Sequence, residues 1–509
     1  MFRKSAVSLV GLVHLVCFVY LVDLVHLMSL RQPNKLNKPN RLNEQARRSR
    51  RERVRGPKFE VFGTSRLTLV SRFTPHVSRF AFSILLVVLI LGIAGTAHAQ
   101  YGGSCRASAP PSRVSGTGFF EVVPSICVAE RYDSNVFFRP ATPGLQRDDF
   151  VTTVNPMLRI NHNGEYASAV LSLGGFGETY IRNPGLNYIG TNDSLSLNLD
   201  NSIKRLLPNA SLRVTDTFRY TPLPPGFVNP IAGTSPADPG NIQDVYAQGI
   251  MGFRTNNLSN IGTVSASYAT TALTSVNASY SYAILRFGST PSTKGIDPNL
   301  TPAPTNLFNA TTQTGTVGGA ARLSEVDTVN VNYSHTQSEF QRGPTSSLFK
   351  IDSATIGWSR TLTPGLRAEL GGGGILISPG LTTYAANAAL IMNSANNSAT
   401  ISYARSAFPG FAGAGVLIGD RVSLSATQRI ARQWQLSESA TYVHSSRAGG
   451  LNVQKFDSYN AGGDIQYWMT DVWSTSLSYN YTKFTQDFGS VKTDFDRHVI
   501  MLSVAASWG

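Results

Sequence analysis

Residues 476–481 read SLSYNY, so Leu477, Tyr479 and Tyr481 alternate with Ser476, Ser478 and Asn480. A period of two sends successive side chains to opposite faces of an extended chain, which makes this stretch a strand with one apolar and one polar face. The pattern recurs upstream: Leu195, Leu197 and Leu199 alternate with Ser194, Ser196 and Asn198, and Val329, Val331 and Tyr333 with Thr328, Asn330 and Asn332. From residue 119 to the end almost no helical periodicity is found, only alternating segments of roughly ten residues. Their polar face carries Ser, Thr, Asn and Gly, where a soluble sandwich would often present Lys and Glu to water. Small uncharged polar residues suit a lumen, so the expected fold is all-β, a transmembrane antiparallel up-and-down barrel spanning 119–509.

The connections set the strand count. Tight turns are expected near Asn163, Pro208, Thr274, Glu325, Pro364, Asn396, Arg432 and Asp471. Longer polar loops are expected at 138–149, 181–192, 221–260, 288–308, 341–347, 409–414, 446–455 and 487–493, with a short link at Pro379. Short periplasmic turns and longer extracellular loops are the asymmetry of outer-membrane barrels, and this rhythm gives about eighteen strands. Val245 to Arg254 could pass for a strand, but counting it would give an odd number, against the even-number rule for single-chain bacterial barrels.

Tryptophan supplies a check. Trp358, Trp434, Trp468, Trp473 and Trp508 all fall toward the turn ends, as one aromatic girdle at a membrane interface would. Tyr180, Phe218, Tyr220, Phe287, Phe340, Phe408 and Phe484 fall toward the loop ends and are expected to form the second. The last segment carries Ile500, Leu502, Val504, Ala506 and Trp508 on one parity. It resembles the C-terminal assembly signal of outer-membrane proteins, departing from it in ending on Trp508 rather than Phe and in carrying Gly509 afterwards.

The front of the chain is read as addressing. Residues 83–95, SILLVVLILGIAG, are an apolar run preceded by Arg72, His76 and Arg79, and small residues at Ala97 and Ala99 place signal cleavage before Gln100. Residues 79–99 are thus the expected signal peptide and 100–118 a short periplasmic segment. Upstream, LVG, LVH, LVC, FVY, LVD and LVH repeat with period three, which fits neither helix nor strand. Residues 1–78 are read as translation upstream of the true start or a disordered leader, the alternative being a membrane helix at Ala6 to Leu30.

Charge and cysteine exclude other classes. Residues 1–99 hold 16 of the 44 Lys+Arg and 4 of the 30 Asp+Glu, leaving 28 against 26, or +2, for the rest of a chain whose overall charge is +14. No nucleic-acid partner is expected. After the signal only Cys105 and Cys127 remain; the sequence leaves open a single bridge or two unlinked thiols. Gly371 to Gly374 could be mistaken for a phosphate cradle, but no GK[ST] follows, and His335, His444 and His498 lie on separate strands without ligand spacing. No G-x-S-x-G element or paired-acid arrangement stands out, so no enzyme, cofactor or metal is expected. Strand parity puts Arg213, Arg219, Arg367, Glu369, Arg421 and Asp464 on the lumen side, either pairing with one another or tuning selectivity.

Residues 125–138 read SICVAERYDSNVFF, followed by Asp148, Asp149 and, from Val151, VTTVNPMLRI; Arg254 to Asn257 read RTNN ahead of a Ser- and Tyr-bearing strand. These motifs resemble the large barrels associated with exosortase (PEP-CTERM) and exopolysaccharide gene clusters. The resemblance implies a channel or assembly component of a polysaccharide or surface-protein export system, with outer-membrane lipid, the barrel-assembly machinery and export components as partners. It supplies no active-site residues. A general diffusion porin and a structural barrel plugged by its own loops, with 221–260 as the plug, are the alternatives.

Overall fold

The computed structural model describes residues 120–138, 140–141, 146–221, 256–288, 309–342, 345–410, 415–449, 455–487 and 492–508. They form one closed antiparallel sheet of 18 strands. In chain order these are β1 (Phe120–Asp133), β2 (Asp149–Asn163), β3 (Ser168–Tyr180), β4 (Tyr188–Asn198), β5 (Ala210–Thr221), β6 (Asn257–Ala269), β7 (Thr274–Phe287), β8 (Asn309–Arg322) and β9 (Asp327–Arg342). The second half comprises β10 (Thr345–Thr363), β11 (Leu366–Ile377), β12 (Leu381–Asn393), β13 (Asn397–Gly410), β14 (Gly415–Ala431), β15 (Trp434–Arg447), β16 (Lys455–Trp468), β17 (Trp473–Asp487) and β18 (Lys492–Ser507). Each strand pairs with its sequence neighbours, and β1 also pairs with β18, from Ser125↔Ser507 to Asp133↔Val499. Closure removes both sheet edges, as a wall in lipid requires.

Side-chain alternation decides the two faces. Val331, Ile356, Leu370, Leu424, Leu477 and Leu502 stand on the outside, each about half exposed. Only hydrocarbon can cover such a continuous apolar surface on a closed barrel. Their sequence neighbours, such as Asn330, Thr355, Glu369, Ser425, Ser478 and Ser503, point to the lumen. Residues Gly371 to Gly374 pair with Gly357 to Ala354 on β10, inside the wall. The backbones approach closely there, because a Cβ on Gly373 would sit 1.9 Å from the Ala354 carbonyl oxygen.

Several connections differ from the sequence reading, the loops expected at 181–192 and 221–260 giving way to β4 at Tyr188 and to β6 at Asn257. The expected tight turn at Pro208 is a longer link, 199–209, holding a short helix α1 (Asp200–Lys204). Asp200 shapes it by accepting the Leu212 amide at 2.9 Å, so the chain is stapled to β5 before it turns. The expected long loop at 341–347 shrinks to residues 343–344, because β9 and β10 go on pairing out to Arg342↔Thr345. Residues 245–254, the proposed signal site at Ala97, Ala99 and Gln100, and Arg254 of the RTNN motif lie outside the described residues.

Candidate functional site

The candidate site is the lumen and its loop end. All six charges read from parity stand on the inward face, but only one pair meets: Arg367 is ion-paired with Glu369 on β11. Arg213 and Arg219 share β5, roughly 20 Å apart for six residues of strand rise. Arg213 is exposed near the turn end, flanked by Asn198 and Ser265. Arg219 lies between Asn192 and Ser259 toward the loop end. Arg421 pairs across to Ala404 and Val443 at the loop end, and Asp464 to Ser437 and Ser478 near the turn end. The six line the wall at separate heights and form no single cluster.

The two ends of the lumen differ. Inward residues at the turn end, such as Arg213, Ser267, Asn277 and Ser425, are exposed. Those at the loop end are buried on strands all round the barrel: Thr221 is 1% exposed, Leu285 1%, Thr312 2%, Phe340 0%, Ile377 4% and Phe408 0%. The aromatic residues assigned by position to a second outer girdle divide accordingly. Tyr180, Phe340, Phe408 and Phe484 are buried and, with Phe287, take the inward parity, whereas Phe218 and Tyr220 face out. Distance along a strand fixes height, but odd or even position fixes the face. The outward residues nearest the loop ends are mixed, among them Phe150, Tyr220, Leu348, Leu376 and Tyr384. At the other end Trp358, Trp434, Trp473 and Trp508 take the outward parity, and Trp473 meets Trp508 edge to face at 6.4 Å. Trp468 differs: it is 5% exposed and shares the inward parity of Asp464.

The motif at the end of β1 builds a lock across the seam that closes the barrel. Asp133 and Arg497 of β18, each 1% exposed, form an ion pair, with Arg497 Nε donating to Asp133 Oδ1 at 2.8 Å. Arg131 donates to Glu178 of β3 through both terminal nitrogens at 3.1 and 2.9 Å, and the Tyr180 hydroxyl donates to the same carboxylate at 2.6 Å. Ser134 exchanges two bonds with His498: its amide donates to the His498 carbonyl at 2.9 Å, and its Oγ accepts the His498 amide at 2.7 Å. Asn135 Nδ2 donates to the Asp496 carbonyl at 3.1 Å. Asp149 accepts the amides of Arg182 and Asn183, each at 2.9 Å, and so anchors the connection after β3.

This polar frame turns the next three residues into the lumen. Val136, Phe137 and Phe138 are 1%, 4% and 1% exposed. Phe138, at φ 54°, occupies a left-handed conformation uncommon for a bulky residue. It is held there by the Arg497 guanidinium 4.5 Å over its ring and by packing with Phe408, Leu417, Phe456, Phe484, Phe495 and Val499. Val136 and Phe137 pack with Val151, Tyr180 and Leu186.

Histidines that look scattered in sequence acquire partners through register, on the lipid-facing side. His335 Nδ1 lies 2.8 Å from Asp352 and His444 Nδ1 2.8 Å from Asp457, while Tyr333 and Tyr442 donate to the same carboxylates at 2.6 and 3.0 Å. Arg405, Tyr403 and Asp420 repeat the arrangement one hairpin earlier. These clusters sit on the outer wall in the loop-end halves of their strands, each carboxylate shared by a tyrosine hydroxyl and a second nitrogen donor or ring nitrogen.

No protein-family model and no curated protein matches the sequence. Solved outer-membrane barrels do. The siderophore receptor PirA from Pseudomonas aeruginosa is 8% identical, with a TM-score of 0.38 over 76% of this chain and 80% of that one. The outer membrane protein OpdK of the same organism is 10% identical, with a TM-score of 0.39 over 76% of this chain and 99% of that one. OccK3 (OpdO), also from P. aeruginosa, is 11% identical, at 0.39 over 76% and 96%.

Proposed function

We propose that this chain is a non-enzymatic outer-membrane channel whose lumen opens to the periplasm and is narrowed at its extracellular end, serving an exopolysaccharide or PEP-CTERM-associated export system. The observation that carries the channel reading is the contrast within one polar-lined lumen: exposed inward residues at the turn end, and buried ones at the loop end, where Val136, Phe137 and Phe138 fold inward. A general diffusion porin would keep its inward wall wet through the barrel. The narrowed end favours a conduit that opens for a particular cargo or in concert with a partner.

The cargo assignment rests on the motif resemblance, and the lock gives those motif residues physical work: Asp133, Ser134, Asn135, Phe138 and Asp149 are the ones that shape the mouth. Outer-membrane lipid would contact the apolar band, and the barrel-assembly machinery would read β18 with its outward Ile500, Leu502, Val504 and Trp508. The test is conductance in a planar bilayer. Wild type should pass little current, and the double change Phe137→Ser with Phe138→Ser should raise it severalfold, since the wedge of the mouth then becomes small and wet. Silence in both folded proteins would remove channel activity.

A further inference from the structure

The described strands sort their cations by type. Their lysines are Lys350 on β10, Lys455 on β16, Lys483 on β17 and Lys492 on β18, all exposed. Each shares its parity with an exposed apolar residue of its own strand, Ile356, Ile465, Leu477 and Ile500 in turn, and so faces outward. On the opposite parity of the described strands every cation is an arginine. Five of these stand in the turn-end halves of their strands and are exposed: Arg159 on β2, Arg213 on β5, Arg322 on β8, Arg367 on β11 and Arg429 on β14. They occupy every third strand, about 14 Å apart across the sheet for three strand spacings. The charge is therefore spread round the mouth and not gathered in one patch.

Carboxylates do not match it. Among the described residues the inward parity at this end carries Glu121, Glu369 and Asp464. Glu369 is taken by Arg367, Glu121 accepts from Asn161 at 2.9 Å, and Asp464 lies on β16 between Ser437 and Ser478 of the neighbouring strands. Arg213 and Arg429 have no ion pair or side-chain hydrogen bond among the described residues. Their ladder neighbours are neutral hydrogen-bonding groups, Asn198 and Ser265 for Arg213 and Gln435 for Arg429. Arg159 is similar, its Nε donating to Asn161 Oδ1 at 2.9 Å. Lysine would supply the same charge, but arginine adds a planar fork of N–H donors that fits an oxyanion two bonds at a time.

We propose that the periplasmic mouth of the barrel is a binding site for a carboxylate-bearing polysaccharide, a polyuronate, whose carboxylates take the arginine forks while its hydroxyls meet the neighbouring amide and serine groups. The saccharide assignment rests on the export reading above, whereas the anion requirement rests on the arginines alone. A linear polyanion reaches successive arginines as it enters. Each contact is exposed and exchangeable, so the chain is held at the mouth without being locked there. Arg219, farther along β5, continues the same inward face toward the narrowed end.

The test is fluorescence anisotropy of a labelled oligogalacturonate titrated with the full chain in detergent, the heat-dependent gel shift showing that each variant is folded. Wild type should bind the oligouronate saturably, more weakly as salt rises, and should not bind a neutral dextran of the same length. Arg213→Gln with Arg429→Gln should weaken binding about tenfold or more. Arg213→Lys with Arg429→Lys keeps the charge and loses the fork, and should fall between that pair and wild type. Lys350→Gln with Lys483→Gln, on the outer wall, should bind as wild type does. Unchanged binding in the Arg213→Gln, Arg429→Gln barrel, equal loss in the outer-wall pair, or equal binding of dextran overturns the site. Wild-type affinity in the lysine pair overturns the role of the fork, and tighter binding of inorganic polyphosphate overturns the saccharide. Binding is read at equilibrium, so a barrel that conducts in its Phe137→Ser, Phe138→Ser form yet holds no uronate overturns this site and leaves the channel standing. A barrel that holds uronate but stays silent does the reverse.

Discussion

Replacing Asp133 by Ala should destabilise the barrel at its seam. The carboxylate and the Arg497 guanidinium are each 1% exposed, so the variant takes this carboxylate away from a positive charge where water does not reach it. Removing one partner of a buried pair costs about 3–5 kcal/mol. The Asn135 amide, which donates to Asp133 at 3.1 Å, also loses its acceptor, adding roughly 1 kcal/mol. The seam is where this falls, because Asp133 ends β1 and Arg497 lies on β18, the two strands whose pairing closes the cylinder. Urea unfolding in lipid vesicles, followed by tryptophan emission and by the gel shift between folded and heat-denatured forms, measures the loss. The double variant Asp133→Ala with Arg497→Ala should recover about 1–3 kcal/mol of it relative to the single change, because the buried positive charge is then removed with its carboxylate. A single variant within about 0.5 kcal/mol of wild type, the range of ordinary surface changes, would refute the lock.

Gly373→Val should prevent assembly, since even its Cβ would meet the Ala354 carbonyl oxygen at 1.9 Å; normal folded yield would show that β10 and β11 do not approach as described. Trp508→Ala should lower folded yield without reducing export to the periplasm, through loss of the contact with Trp473 and of the aromatic end of β18, and pulse-chase fractionation reads this. In the Phe137→Ser, Phe138→Ser background, changing Arg213, Arg219 and Arg367 together to Ser should shift reversal potentials toward cations, because three positive charges leave the lumen wall. Secreted polysaccharide measured in a deletion strain tests the cargo assignment, and unchanged secretion would remove it.

The architecture was legible because it is written locally. Alternation in SLSYNY and its counterparts announces strands, and counting turns against loops leads to eighteen. The same alternation gives Arg213, Glu369 and Asp464 the parity opposite to the exposed apolar residues Val264, Leu370 and Ile465 of the same or paired strands. It also places Phe484 inward, with the parity of Ser478 and Asn480, whereas height along the strand alone does not tell its face. The lock was not legible in the same way. Asp133 and Arg497 are 364 residues apart, and nothing local couples them until closure sets β1 against β18 in register. The histidines follow the same logic, since His335 meets Asp352 only through the hairpin register. The short connection at 343–344 is not legible in the sequence because polar strand ends look like loop until the ladder that pairs them is known.

The proposed transmembrane barrel has a lumen that is wet from the periplasm and closed from outside. Single cysteines at Ser425 and at its outward neighbour Leu424 test it most directly, each in a Cys105→Ser, Cys127→Ser chain, with a membrane-impermeant maleimide applied to intact cells and then to cells with opened outer membranes. Ser425→Cys should label only after the periplasm is exposed, and Leu424→Cys in neither case. Labelling of Ser425→Cys in intact cells would mean an open mouth, and labelling of Leu424→Cys would mean that the apolar face is not in lipid.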